Sequence, residues 1–269
     1  MNTGKSLHVA LFAGCTVNFI DPGIGADALA VLAQNGIDVL YPDARCCGVP
    51  LLAYGNRKGF AQNAAFNMES LLKTGCDIVA PCSSCLHALR EKYPARLGTA
   101  AARTIAARTY DLLQYLCALA RAGRLRTDFR RVELFALYHA PCHLKGLGNE
   151  AIDARLELLK HLPGVKVERI DRGCCGMGGT FGMKKKNYSQ SIAIGEALAR
   201  GIREARPDVV LTECPGCRMQ IEHLSGVAAW HPVRLLALAY GWTSPPFEET
   251  DHQKTGARLQ KKQHEGGLL

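Results

Sequence analysis

Ten of the twelve cysteines in this 269-residue chain fall into two ordered sets. The first is Cys15, then Cys46-Cys47-Gly48, then Cys82-Ser83-Ser84-Cys85. The second is Cys142, then Cys174-Cys175-Gly176, then Cys214-Pro215-Gly216-Cys217. The spacings agree: 30 residues separate Cys15 from Cys46 and 31 separate Cys142 from Cys174, while 34 lie between Cys47 and Cys82 and 38 between Cys175 and Cys214. A pattern written twice in one chain is an internal duplication. Thiolates are soft donors that select zinc, copper(I) or iron–sulfur clusters, so each set is expected to bind metal. Five thiols exceed the four that zinc or an ordinary cubane takes. The fifth is either a spare or bridges irons in an expanded, non-cubane cluster.

The local patterns say how the sulfurs meet. A CxxC pair opening a helix points two sulfurs and several free backbone N–H groups at one spot, where the helix dipole favours thiolate and N–H···S bonds tune a cluster's potential. Cys82/Cys85 and Cys214/Cys217 fit this. Neighbouring residues of a strand point to opposite faces, so Cys46-Cys47 and Cys174-Cys175 reach one centre only through an irregular loop. Gly48 and Gly176 tolerate the backbone angles such a loop needs. Vicinal disulfides at these pairs do not suit a reducing compartment.

Outside the two sets, Cys76 and Cys117 read as small buried hydrophobes. His139 and His143 bracket Cys142 and could donate to cluster sulfur, although such histidines more often satisfy nearby backbone; His87 and His231 carry a weaker signal of the same kind. Gly178-Gly179-Thr180-Phe181-Gly182, followed by Lys184, Lys185 and Lys186, lacks the GxxxxGK[ST] spacing of a phosphate loop. Its glycines are expected to let the backbone wrap the second site. The lysines are either a solvated helix start or a docking patch for an anionic partner. No acid–base or nucleophilic constellation appears, which argues against chemistry by side chains alone.

The elements that must position these residues also repeat. Apolar runs at His8–Phe12 and Leu134–His139 precede Cys15 and Cys142. Helical stretches follow at Gly25–Gln34 and Glu150–His161. Second strands at Ile37–Tyr41 and Val165–Ile170 lead to the paired cysteines. Longer helices at Arg57–Lys73 and Asn187–Glu204 and third strands at Asp77–Ala80 and Asp208–Thr212 then deliver the CxxC pairs. Strands alternating with helices imply right-handed crossovers and parallel sheets, with sites at the carboxyl ends of the strands. The expected fold class is therefore α/β: two pseudo-symmetric, three-layer-like units with small parallel sheets, related by an approximate twofold. The expected division is residues 1–97 for the first repeat, 98–131 for a basic helical connector, 132–243 for the second repeat and 244–269 for a disordered tail. In the connector Ile105, Leu112, Leu113, Leu116 and Leu119 have amphipathic helical spacing and are expected to pack on the sheets.

Composition narrows the classes. At 48% hydrophobic and 21% charged residues the chain suits a soluble globular protein. No apolar run reaches the roughly 18–20 residues that span a bilayer, and the amino terminus is no convincing signal peptide. A cytoplasmic location is expected, where clustered cysteines mean metal or redox chemistry rather than disulfides. The formal charge is +9, and between Arg90 and Arg131 ten Lys or Arg face three Asp or Glu. Such a surface attracts an acidic protein or an anionic membrane face, so peripheral contact with the inner face of the cytoplasmic membrane is one expectation; a solvated arginine-rich helix is the other. No aromatic-interleaved basic platform for nucleic acid is present.

The pattern C-x30/31-CCG-x34/38-C-x2-C, given twice, resembles the duplicated cysteine-rich CCG domain of heterodisulfide reductase B subunits, of glycolate and lactate oxidation complexes and of anaerobic glycerol-3-phosphate dehydrogenases. The stretches GCTVNFIDPGIGADALAVL, CCGVPLLAYGN, ALREKYP, YHAPCHLKGLG, CCGMGGTFGMKKKNYSQSIAIGEAL and HPVRLLALAYG are most similar to the C subunits of the last group. The resemblance spans nearly everything from His8 to Trp242. It implies an unusual [4Fe–4S] cluster at each set, held by Cys15, Cys46, Cys47, Cys82 and Cys85 and by Cys142, Cys174, Cys175, Cys214 and Cys217. In related chains one set is often incomplete and holds zinc or nothing. Both are complete here, so two clusters are expected, with zinc at one site as the alternative.

The resemblance also implies a role: an iron–sulfur electron-transfer subunit of a respiratory dehydrogenase complex. A flavoprotein subunit would oxidise glycerol 3-phosphate or a 2-hydroxy acid, and electrons would pass toward a quinone. One departure is that the C subunits begin with a ferredoxin-like C-x2-C-x2-C-x3-C-P region, which this sequence does not carry. Electrons are therefore expected from a separate ferredoxin-like iron–sulfur protein or the flavoprotein itself, or this chain is one piece of a split subunit. The rival readings are a catalytic subunit that cleaves a disulfide at its clusters, and a zinc-binding interaction module.

Overall fold

A computed structural model describes residues 7–146 and 148–243; the stretch 244–269, expected above to be disordered, lies outside the described residues. In the first half β1 (Leu7–Leu11) leads to α1 (Cys15–Phe19) and α2 (Pro22–Gln34), then β2 (Ile37–Leu40), α3 (Val49–Ala53), α4 (Arg57–Lys73) and β3 (Asp77–Ala80). The chain continues through α5 (Ser83–His87), a π turn over Ala88–Lys92, α6 (Tyr93–Leu97), α7 (Ala100–Arg108), β4 (Thr109–Asp111) and α8 (Leu112–Arg121). The second half runs β5 (Leu134–Tyr138), α9 (Cys142–Lys145), α10 (Asn149–Lys160), β6 (Val165–Arg169), α11 (Tyr188–Ala205), β7 (Val209–Leu211), α12 (Pro215–Ser225), β8 (Ala229–Trp230) and α13 (Pro232–Ala239).

Local chemistry sets these boundaries. The Asn56 carboxamide accepts from Gly59 N–H at 2.8 Å and opens α4; Thr99 Oγ1 caps α7 at 3.1 Å and Asp111 Oδ1 caps α8 at 3.0 Å. Pro22, Pro215 and Pro232 occupy first-turn positions of α2, α12 and α13, where a missing N–H costs nothing.

Each half forms one four-stranded parallel sheet, ordered β2-β1-β3-β4 and β6-β5-β7-β8. The α/β class and the paired parallel sheets are as the sequence implied. The fourth strand of each sheet was not foreseen: β4 pairs Ile78, Val79 and Ala80 with Thr109, Tyr110 and Asp111 inside the stretch expected to be helical, and β8 pairs Val210 and Leu211 with Ala229 and Trp230.

Alternation along the strands divides the core into layers. Val9 and Leu11 of β1, with Ala136 and Tyr138 of β5 and Val209 and Leu211 of β7, belong to one large apolar cluster. Ala10 and Phe12 face a second cluster with Phe60, Met68 and Leu71 of α4, and Leu137 and Val210 face a third with Leu198 and Ile202 of α11. The large cluster is shared between the halves. It takes in Ala28, Val31 and Leu32 of α2, Leu112 and Leu116 of α8, Ile152 and Leu159 of α10, and Val233 and Leu236 of α13. The pairing is crossed, because α8 of the first half packs on α10 of the second and α13 of the second packs on α2 of the first.

Candidate metal centre

The sheet order places the first cysteine and the CxxC pair of each half at a topological switch point. The chain leaves β1 for β2 on one side and returns to β3 on the other, so the loops after β1 and β3 open a crevice at the carboxyl ends. Cys15 begins α1 in that crevice, Cys82 is the residue before α5, and Cys85 lies within α5. In the second half Cys142 begins α9, Cys214 precedes α12 and Cys217 lies in its first turn.

Gly48 and Gly176 have φ of 88° and 89°, the left-handed conformation the sequence reading required after each cysteine pair. The turn releases two backbone N–H groups toward sulfur. In the first half they reach Cys46 from Gly48 and Cys47 from Val49. In the second Gly176 N–H donates to Cys174 Sγ at 3.3 Å and Met177 N–H reaches Cys175. The CxxC helices supply a matching set, with Ser84 and Cys85 N–H aimed at Cys82 and Gly216 and Cys217 N–H at Cys214.

All five sulfurs of the first set are linked. Cys15 and Cys46 lie 3.7 Å apart, Cys46 contacts Cys47, Cys47 contacts Cys85 and Cys85 contacts Cys82. In the second set Cys175 and Cys217 are 3.2 Å apart, Cys217 contacts Cys214 and Cys175 contacts Cys174. Cys142 has no sulfur contact of this kind but stands within charge range of Cys214, Cys174 and Cys175. The sulfurs run on as chains; among the described residues no three His, Cys, Asp or Glu side chains close round one point as a single ion requires. Cys47, Cys82, Cys85, Cys175 and Cys217 are buried, Cys15, Cys46 and Cys214 half-buried, and Cys142 and Cys174 exposed.

Several contacting thiols in these chains are pushed in opposite directions, whereas Cys47 and Cys85 are both pushed up. A thiol hydrogen from Cys15 holds Cys46 far below the usual range, and Cys85 and Cys217 do the same for Cys82 and Cys214, the latter falling to about 6. Cys15, Cys47, Cys85 and Cys217 are pushed up, chiefly by donating to a neighbouring sulfur and then by burial. Five thiolates at such spacing are stable together only beside compensating positive charge. Gly14 lets the backbone after β1 come close to Cys85 Sγ: a Cβ there would stand 2.7 Å from the sulfur. Soft donors and N–H groups aimed at them fit an iron–sulfur group.

Other expected residues lie apart. Cys76 Sγ points at Thr74 O, 3.1 Å away, and Cys117 Sγ at Ala154 O, 3.4 Å away. His143 Nδ1 is 3.4 Å from Ser84 Oγ and its ring stacks on His87 at 4.7 Å. His139 is buried, its Nδ1 has no hydrogen-bond partner among the described residues, and burial pushes its pKa to about 4. His231 is fixed as the Nε2–H tautomer, donating to Pro81 O at 2.8 Å and accepting from Val233 N–H at 3.1 Å through Nδ1. Lys184 lies 4.1 Å over the Tyr54 ring, which joins the segments after the two cysteine pairs.

A further group carried no sequence signal. Arg155, on α10, is 1% exposed and Asp111 and Glu213 are fully buried. Arg155 Nη2 donates to Asp111 Oδ1 at 2.7 Å and Nε lies 3.2 Å from Glu213 Oε1. Tyr138 O–H donates to Glu213 Oε1 at 2.7 Å. Burial, then Asp111, raises Glu213 to about 7. Glu213 directly precedes Cys214.

Duplicated α/β sheets bearing duplicated sulfur sets are the mark of a two-repeat cysteine-rich protein. The chain belongs to the CCG cysteine-rich domain family, which matches residues 9–90 and 136–222. It is similar to the C subunit of anaerobic glycerol-3-phosphate dehydrogenase from Escherichia coli (strain K12), at 36% identity over 86% of this chain and 59% of that protein. An uncharacterized iron–sulfur protein of Methanocaldococcus jannaschii is 30% identical over 81% of this chain and 41% of its own length. Lactate utilization protein A of Geobacillus kaustophilus is 30% identical over 80% of this chain and 90% of that protein. The chain thus spans about three fifths of the dehydrogenase polypeptide it matches. Among the described residues no helix is long and apolar enough to cross a membrane.

Proposed function

We propose that this chain is an iron–sulfur electron-transfer subunit of a multi-subunit dehydrogenase. Cys15, Cys46, Cys47, Cys82 and Cys85 would hold one [4Fe–4S] group, and Cys142, Cys174, Cys175, Cys214 and Cys217 a second. The observation that carries the reading is the linked run of five sulfurs from Cys15 to Cys82, met by N–H donors from Gly48, Val49, Ser84 and Cys85. A bound cluster supplies one-electron chemistry. The chain's own part is to fix the sulfurs, lower the electron density on them through N–H···S bonds, and keep Cys47, Cys82 and Cys85 from water. The fifth sulfur of each set would favour a non-cubane form over an ordinary four-thiolate cubane.

The relatives direct the reading toward oxidation of glycerol 3-phosphate or a 2-hydroxy acid by a flavoprotein subunit, with electrons arriving directly or through a ferredoxin-like protein and leaving toward a quinone. Lys184, Lys185 and Lys186 begin beside Tyr54 on the segment that follows Cys175, a suitable place for an acidic partner to approach. A second reading, disulfide cleavage at a cluster, is favoured by the exposure of Cys142 and Cys174, which leaves one side of the second set open.

Anaerobic purification followed by iron, sulfide and zinc analysis tests the assignment. Iron and sulfide in near-equal amounts, with visible absorbance, are expected. Colourless protein holding zinc alone would overturn it. Oxidation of the reduced protein by a quinone analogue, but not by an added disulfide, then separates relay from disulfide cleavage.

A further inference from the structure

The charged group formed by Arg155, Asp111 and Glu213 has no part in holding sulfur, yet it sits behind both CxxC loops. Asp111 ends β4 of the first sheet, Glu213 follows β7 of the second, and Arg155 comes from α10. The three therefore tie the two halves together. Arg155 Nη1 also donates to Ala151 O at 2.6 Å, which fixes the guanidinium on its own helix, and Tyr138 holds the far side of Glu213.

From this centre two contacts lead to the cysteines. The Glu213 carbonyl accepts from Ser83 N–H at 3.4 Å, so the residue before Cys214 grips the residue after Cys82. The Ser83 hydroxyl, fully buried and with no nitrogen or oxygen partner among the described residues, faces the Cys214 sulfur. On the other side of Cys82, the Pro81 carbonyl is held by His231. Both main-chain neighbours of Cys82 are thus fixed by groups of the second half. Glu213, the neighbour of Cys214, is fixed by Arg155 and through it by Asp111 of the first sheet.

Burying three charges is not required for stability, since apolar residues of similar volume often do as well or better. What such a group provides is a unique arrangement of the elements it joins, and the elements joined here are the two loops whose sulfurs must stay within about 0.5 Å of a working geometry.

We infer that Arg155, acting through Glu213, is a positioning residue for the Cys82–Cys85 and Cys214–Cys217 loops together, so that disturbing it alters both cysteine sets at once. The inference rests on the cluster-binding reading only for its spectroscopic consequence; the positioning itself is a property of the protein without iron.

The test uses the full chain with E213Q, which keeps the shape of Glu213, and R155K, which keeps the charge of Arg155 but not its fork. Without iron, amide hydrogen exchange is followed over residues 82–86 and 213–217. Both segments are expected to exchange faster in each variant, by roughly tenfold. With iron, each variant is placed on two backgrounds, C15S/C46S and C142S/C174S, so that one site is read at a time. The EPR signal and midpoint potential of the remaining site are expected to shift on both backgrounds. A lower melting temperature with unchanged exchange in residues 82–86 would overturn the inference, as would a shift confined to the second site. If wild-type protein takes up no iron, the relay reading fails and the exchange result alone decides the positioning role.

Discussion

The sulfurs of Cys175 and Cys217 stand 3.2 Å apart although 42 positions separate them in the chain. The contact exists because β6 and β7 deliver their loops to the same end of one sheet on either side of β5. Substituting Cys175 or Cys47 by serine replaces a soft donor at a buried position with a hard one. Each variant should retain roughly half of the iron and sulfide of the parent if, as proposed, each set binds on its own sulfurs. Metal and sulfide analysis of C47S, C175S and the double variant checks this.

The two cysteine sets differ in cover. Cys142 and Cys174 are exposed, whereas the least buried thiols of the first set are half-buried. A protein retaining only the second set should therefore lose iron to a chelator several-fold faster than one retaining only the first, because water and chelator reach it without local opening. Stopped-flow absorbance with bathophenanthroline on C15S/C46S and C142S/C174S proteins measures the two rates.

Gly48 and Gly176 share a left-handed φ, but their surroundings differ. A Cβ on Gly176 would press on the backbone at Ser191 and Gly195, while one on Gly48 would meet the Phe60 ring. Gly48→Ala should cost roughly 1–2 kcal/mol from the backbone conformation, and Gly176→Ala clearly more, because a main chain yields less readily than a ring. Urea unfolding of the two iron-free variants gives the comparison.

Burial pushes His231 and His139 each to about 4, below the ordinary value of 6.5. Between those limits the unfolded chain binds more protons than the folded one, so unfolding free energy rises with pH. Stability is thus expected to be complete above about pH 6.5 and to fall as pH drops toward 4, by order 1–3 kcal/mol for each histidine. H231Q should show a shallower slope over this window in urea titrations at a series of pH values.

Breaking the buried ion group should be costly in a specific way. Arg155→Met leaves Asp111 and Glu213 buried without their counter-charge and should destabilise by about 3–5 kcal/mol. R155M combined with D111N and E213Q removes the stranded charges and should regain a large part of that loss. Equal stability of the single and triple variants would show that the carboxylates are not the cause.

The ten cysteines, the three longer strands of each half and the left-handed turns at Gly48 and Gly176 were legible because each leaves a local mark: a fixed spacing, an apolar run, a glycine after a pair. β4 and β8 were not. Thr109–Asp111 and Ala229–Trp230 are three and two residues long, too short for alternation to register, and their pairing is decided by β3 and β7. Arg155 was hidden for a different reason. It lies in a helix with Glu150, Asp153 and Glu157, where one more charge reads as solvated surface, and its partners stand 44 and 58 positions away. Burial of a charge across two repeats has no local signature.

The crossed packing of the central helices bears on how such a chain could have arisen and how it can be cut. With α8 seated on α10 and α13 on α2, each repeat helps to complete its neighbour's interior as well as its own. A single repeat made alone would expose Leu112, Leu116 and Leu119 to water, and the smallest assembly able to cover them is a pair of copies exchanging terminal helices. Severing the chain between residues 122 and 131 should accordingly yield two fragments that are insoluble apart and reassociate when refolded together.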